Sequence, residues 1–224
     1  MPESGYIRPL RDPAGRRTSR CRKCRLEREQ AAIASPRWCS QSACRWRHHR
    51  SHAAEVEGVG IDDSVEVGGT RLELNGAGMR NVYIVKAYVA ALYVPSRSQA
   101  PDVLLAQKGP RRLSLTMLAD LSAEWFTQRF VTALRENCRD AEFAKLSPRL
   151  DRLIETMLTL GQTRKGERID IDFAGGATSV SIDGHALGPA IPGDDLFTAI
   201  LRIFVGERPI DAELKQAMLG RAQP

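Results

Sequence analysis

Arg80, Lys86 and Tyr88 lie in "LNGAGMRNVYIVKAYVAALYVP", residues 74–95, the longest apolar run of the chain. A guanidinium is a planar fork of donors that fits a carboxylate or a phenolate, and a tyrosine hydroxyl adds another donor. An ammonium adds a compact charge. Cations in so apolar a run are costly to bury unless they meet an anion or several acceptors. The chemistry these three types could do together is to hold an anionic group. Arg80 to Val94 is expected to form one long strand, rich in Val, Ile and Tyr and ended by Pro95. Alternation then puts Arg80, Lys86 and Tyr88 on one face. The competing reading is that Arg80 reaches water at the strand end and Lys86 lays its aliphatic stem along the surface.

Other candidate chemistry is concentrated at the start. Residues 1–54 carry thirteen Lys and Arg against four Asp and Glu, whereas residues 55–224 carry twenty against twenty-three. Four of the five cysteines, Cys21, Cys24, Cys39 and Cys44, lie in the first segment, with His48, His49 and His52 behind them. Zinc is one reading, although the second pair is more widely spaced than in common knuckles and the glycines that shape such knuckles are missing. Nucleic-acid binding through the basic run is another, with no specific motif behind it. The expectation is a basic, Arg- and Cys-rich extension without a fold, because the segment has too little apolar surface to offset its ordering entropy. No metal site is assigned, and nucleic acid is not taken as a partner. "SHAAEVEG" resembles the small-residue end of a secretory signal, with cleavage near Ala53 or Ala54, but the apolar stretch that should precede it is absent. That is what a mis-assigned start would give. The protein is then expected to be periplasmic or secreted, and cytoplasmic if the start as written is correct. No run approaches the roughly 18 apolar residues of a membrane span.

The second segment must position the arginine. Val56–Gly60, Val65–Val67 and "TRLEL" alternate and read as antiparallel strands, and residues 75–78 read as a turn. "SQAPDVLLAQ" reads as a short helix and "RRLSLTML" as a strand. Ser122 can cap a helix running to about Cys138, itself an inert, half-buried residue. Ser147-Pro148 reads as the start of the next helix, which Gly161 closes. "ERIDIDF" and "TSVSIDG" form a hairpin about an Ala-Gly-Gly-Ala turn that lacks the strand-to-helix setting of a phosphate loop. His185 in "DGHALG" is expected in a solvated turn. Leu196, Phe197, Ile200, Leu201 and Phe204 mark an amphipathic helix, and a last helix runs from Asp211 to Leu219. No Ser-His-Asp or Cys-His set has a recognisable context. The order of elements gives an α+β fold, an antiparallel sheet with helices on a face.

"LNGAGMR", "KAYVAALYVP" and "GPAIPGDDLFTAILRIFVGERPIDAELKQAMLG", in that order, resemble the bacterial chalcone isomerase-like domain, over roughly Val56 to Gly220. The resemblance implies an open-faced β-sandwich, a large antiparallel sheet covered by a helical layer, with an apolar ligand cleft between them. In the plant enzymes of that family an arginine after a Gly-x-Gly turn stabilises the substrate's anionic oxygen, and Arg80 matches that position. The enzymes' strand threonine falls at Tyr88, their tyrosine at about Trp125, their asparagine at about Thr132 and a late polar position near Ile203. Apart from the arginine, this departs from most of the catalytic set. The implied function is a non-catalytic binder of a small apolar or amphipathic ligand (a fatty acid, a phenolic or haem) in the bacterial envelope, using Arg80, Tyr88, Lys86 and Trp125. The alternatives are an intramolecular lyase or isomerase acting on an enone, with Arg80 as oxyanion stabiliser, and a structural or partner-binding domain without a ligand. No cofactor is assigned.

Overall fold

The structure, a computed structural model, describes residues 52–221. The early cysteines, and the zinc and nucleic-acid readings that rest on them, lie outside the described residues. Two short strands come first, β1 (His52–Val56) and β2 (Val59–Asp62). Their turn, Glu57-Gly58, has positive φ at both residues, so the apolar piece expected to be continuous through residues 56–60 is bent in its middle. Then follow β3 (Ser64–Val67), β4 (Thr70–Val82), β5 (Val85–Val94), α1 (Pro101–Ala106), β6 (Arg111–Met117) and β7 (Leu121–Ser122). Next come α2 (Ala123–Asn137), α3 (Asp140–Leu158), β8 (Gln162–Thr163), β9 (Arg168–Ala174), β10 (Ala177–Ile182) and β11 (His185–Pro192). The described chain ends with α4 (Asp194–Val205) and α5 (Ala212–Met218). Seven strands form one antiparallel sheet in the order β11-β10-β9-β6-β5-β4-β3. One face carries the main core beneath the helices, including Leu92, Leu115 and Ile171. The other face buries Leu72, Val89 and Tyr93 under Ile61 of β2. This is the α+β arrangement expected from the order of the elements, and the large antiparallel sheet under a helical layer that the family resemblance implies.

The long strand is corrected to a hairpin. Residues 83 and 84 form its turn, and β4 and β5 pair antiparallel from Glu73 opposite Val94 to Val82 opposite Val85. The ladder slips twice. The register changes between Leu74 and Gly76, leaving Asn75 as an extra residue, and between Arg80 and Asn81, leaving Ala87 extra on β5. Each slip is a bulge that changes which face the following side chains take.

Residues 75–78, expected as a turn, lie inside β4, and the reason is packing. The Asn75 side chain donates to the Met218 carbonyl (2.7 Å) and accepts from the Ser98 backbone N–H (2.7 Å). A Cβ on Gly76 would stand 2.2 Å from the Ala217 carbonyl oxygen, and one on Gly78 would stand 2.5 Å from the Ala217 Cβ. The glycines let α5 lie directly on the strand.

Three further expectations are corrected. α3 begins at Asp140 and passes through Pro148. The proline removes one backbone bond at a cost of about 3 kcal/mol, which burial of Leu146, Leu150 and Leu153 on the same helix offsets. His185 is exposed but begins β11, while Asp183-Gly184, both at positive φ, make the turn before it. α4 is buried nearly all round, from Leu196 to Val205 except Thr198 and Arg202, because α2, α3 and α5 surround it. Two ion pairs hold its first turn. Arg111, fully buried with its guanidinium 4.9 and 5.0 Å from the Phe173 and Phe197 ring centroids, pairs with Asp194. Arg149 of α3 bonds both oxygens of Asp195 (2.5 and 2.7 Å).

Two outcomes follow. Gly76→Ala should lower the urea midpoint by an amount equivalent to at least about 1–3 kcal/mol, since α5 must move off the strand; an unchanged midpoint with an unchanged slope would refute the packing account. The Arg149 guanidinium holds the Asp195 carboxyl down from 3.8 to about 2. A lowered folded-state pKa gives stability that is present above the unfolded value and lost as pH falls through the folded one. The midpoint should therefore drop between pH 4 and pH 2, and Asp195→Asn should be less stable at neutral pH with a shallower acid decline. An equal decline in both proteins would refute the pair.

Candidate functional site

Arg80 and Tyr88 face each other across the β4–β5 ladder, immediately before the bulge at Ala87. Directly opposed residues share a face. Tyr88 belongs to the core beneath the helices, and the Arg80 guanidinium carbon lies 6.0 Å from its ring centroid. The bulge also explains Lys86. It leaves this cleft and forms an ion pair with Glu57 in the β1–β2 turn, so the structure does not bring it together with Arg80 and Tyr88. The expectation that all three share one face is corrected for Lys86.

Helix α2 supplies the facing wall. Ser122 caps it, its hydroxyl accepting from the Trp125 backbone N–H (3.2 Å). The next turn then aims Phe126 and Phe130 at the sheet, with the Phe126 ring edge-on to Tyr88 at 6.1 Å. Trp125 lines the same cleft, and the exposed Arg129 guanidinium stacks 5.6 Å from its ring. Ile203 and Phe204 of α4, with Ile210, close the far side. The cleft has a volume of about 310 Å³, counting its open mouth.

Phe126, Phe130 and Phe204 also line a second pocket between the sheet and α3, about 540 Å³ when the space open to solvent is counted. Its other walls include Leu115, Leu153, Met157 and Ile171. Thr163 is the polar side chain among them, and its hydroxyl is already bonded to the Leu121 carbonyl (3.1 Å). The two spaces therefore meet at three aromatic side chains. The second pocket is apolar, and the first is cationic at Arg80.

The electrostatics at that end are uneven. Arg80 Nη1 is buried and has no hydrogen-bond partner. Burial pushes the Tyr88 hydroxyl up to about 12, the neighbouring Arg80 guanidinium pulls it back, and the Asp211 carboxylate pushes it further up. Tyr88 is thus a neutral donor throughout the physiological range. Asp211 itself caps α5, accepting from the Leu214 backbone N–H (2.9 Å). Thr132, the position where the resemblance would put an asparagine, is exposed and bonds back to the Gln128 carbonyl (2.9 Å) of its own helix. Ile203, the late polar position, presents only a hydrocarbon to the cleft. Burial raises the pKa of the half-buried Cys138 thiol, and none of the cleft residues is a cysteine.

Sequence reasoning missed the deep pocket, Arg129 and Ile210. The spacing of Phe126 and Phe130 marks a buried helix face, but whether such a face fills a core or lines a space depends on the helices opposite. Arg129 falls four residues after Trp125, the spacing of neighbours on one helix face, and that was the available signal.

A family model described as chalcone isomerase-like matches residues 53–220. No match was found among curated protein sequences. Among solved structures, the crystal structure of a fatty-acid binding protein of Arabidopsis thaliana superimposes with a TM-score of 0.57 at 16% identity. The match covers 72% of this chain and 92% of that one, and at such identity it is a likeness of fold. Over residues 53–220 the chain belongs to the chalcone isomerase-like family.

Proposed function

We propose that this protein is a non-catalytic binder of a small amphipathic acid, with the carboxylate at Arg80 and the hydrocarbon tail in the deep apolar pocket. The observation that carries the reading is Arg80 Nη1, buried without a partner beside a cleft that shares three aromatic walls with an apolar pocket. A buried, unpaired guanidinium nitrogen is expensive, and a carboxylate is the acceptor its fork fits. Tyr88, held protonated, donates a second hydrogen bond. The name of the Arabidopsis relative points the same way.

Chemistry on an enone is less well supported. An isomerase needs groups to move a proton or activate water, and the corresponding positions hold Trp125 and Ile203, with Thr132 turned away. We infer that stereospecific chalcone cyclisation is absent. Haem fits less well than an acyl acid: neither pocket lining contains a histidine or cysteine, and Tyr88, which could ligate iron as a phenolate, is held protonated. Among the described residues no helix is long and apolar enough to cross a membrane. The bacterial envelope location rests on the family resemblance and belongs to this proposal.

Titration of a fluorescent fatty acid tests the reading. A charge-assisted hydrogen bond contributes roughly 1.5–3 kcal/mol, so Arg80→Gln should weaken binding by about 10- to 100-fold. Tyr88→Phe should cost less, since it removes one neutral donor and leaves the ring. Lys86→Gln should have no effect. Equal binding by wild type and Arg80→Gln would make the arginine structural and defeat the proposal.

A further inference from the structure

The turn of the β4–β5 hairpin breaks the usual rules of turn composition. Tyr83 has φ 55°, at the first central position of a two-residue loop, where type II′ turns favour glycine. Beside it, Ile84 is 98% exposed and Tyr83 89% exposed, with Val85 partly exposed. Single exposed apolar residues are ordinary, but a contiguous apolar apex on a strained turn needs a reason. The apex also stands clear of the sheet. β5 pairs with β6 only from Tyr88 onward, and β4 pairs with β3 only up to Glu73, so residues 81–86 pair only with each other in the sheet. Nothing in the described chain covers their end.

We propose that this apex docks on the surface of a lipid bilayer and so brings the mouth of the Arg80 cleft to the membrane. The surroundings fit a membrane surface in particular. Behind the apolar tip come Lys86, the exposed Arg129 and the half-buried Trp125, the residue types that settle at the headgroup level. The acids there are Glu57, paired with Lys86, the exposed Glu124 beside Trp125, and Asp211, which caps α5 and acts on Tyr88 inside the cleft. Depth agrees as well. Arg80 lies three residues behind Tyr83, roughly 10 Å at strand rise. An apex buried by the 5–10 Å typical of interfacial segments thus holds the guanidinium where the carboxylate of a bilayer-dissolved acid resides. The docking stands on the tip alone; its use in ligand transfer rests on the binding reading above.

The test is flotation of the full chain with vesicles of pure phosphatidylcholine, chosen so that the basic residues 1–54 contribute little. The double substitution Tyr83→Gly/Ile84→Ser removes the apex and relieves the positive φ, so the fold is retained. It should bind these vesicles about 10- to 100-fold more weakly than wild type, the effect of withdrawing one large apolar side chain from lipid. Ile84→Trp should bind at least as well as wild type and show a blue-shifted emission on the vesicles. Wild type and double variant floating equally, or neither floating, would overturn the proposal. So would a change in oligomeric state with no change in flotation, which would make the apex a contact between copies of the chain. Fatty-acid titration of the double variant separates the two readings: docking can fail while solution binding at Arg80 persists, and the reverse.

Discussion

The site depends on the β4–β5 register. One extra residue at Ala87 separates the part of the hairpin in which Arg80 faces Tyr88 over the core from the part in which Lys86 reaches Glu57 on the other side. Without that bulge, two cations would be buried beneath the helical layer. With it, Arg80 is the hairpin cation that faces the cleft, and Lys86 finds a carboxylate near solvent. The low dielectric that the helices impose makes Arg80's unpaired nitrogen costly, and the same low dielectric makes it a strong ligand for an anion.

The register is held from the other end of the strand. Asn75, at the first bulge, bonds the Met218 carbonyl and the Ser98 backbone, and Gly76 and Gly78 allow α5 to lie against the strand without intervening side chains. Asp211 caps α5 and, through its charge, helps to keep Tyr88 protonated. The Gly-Ala-Gly segment thus fixes the helix that follows Ile210 of the cleft wall, and the arginine two residues later lines the same cleft. α4 completes the enclosure because Arg111 and Arg149 anchor its two N-terminal aspartates, which leaves Ile203 and Phe204 to form the wall.

Much of this was legible in the sequence. Period-two alternation located the β9–β10 hairpin, the Ser122 hydroxyl marked the start of α2, and the three family motifs pointed to the sheet-and-helix architecture. Arg80 and Tyr88 were singled out from residue type, and they do face each other, although across a ladder instead of along one strand. What failed has a common cause. A Tyr-Ile turn has no turn chemistry to read, so the hairpin reads as a continuous strand; Asn-Gly-Ala-Gly has strong turn chemistry but serves helix packing; and Pro148 lies mid-helix because burial outweighs its penalty. Each is a case of tertiary contacts overriding local preference. The deep pocket was not legible either, since a lining phenylalanine and a core phenylalanine have the same pattern.

The central claim, that Arg80 holds an anionic head group beside an apolar pocket, is tested most directly by NMR of carboxyl-labelled palmitate bound to the protein and titrated with acid. A carboxylate paired with a guanidinium and a neutral tyrosine hydroxyl keeps its charge below the pKa it has in water. The account predicts a bound carboxyl resonance that stays at its ionised position as the free acid titrates, and that loses this resistance in Arg80→Gln. A bound resonance that titrates with the free acid, or one identical in the two proteins, would contradict it.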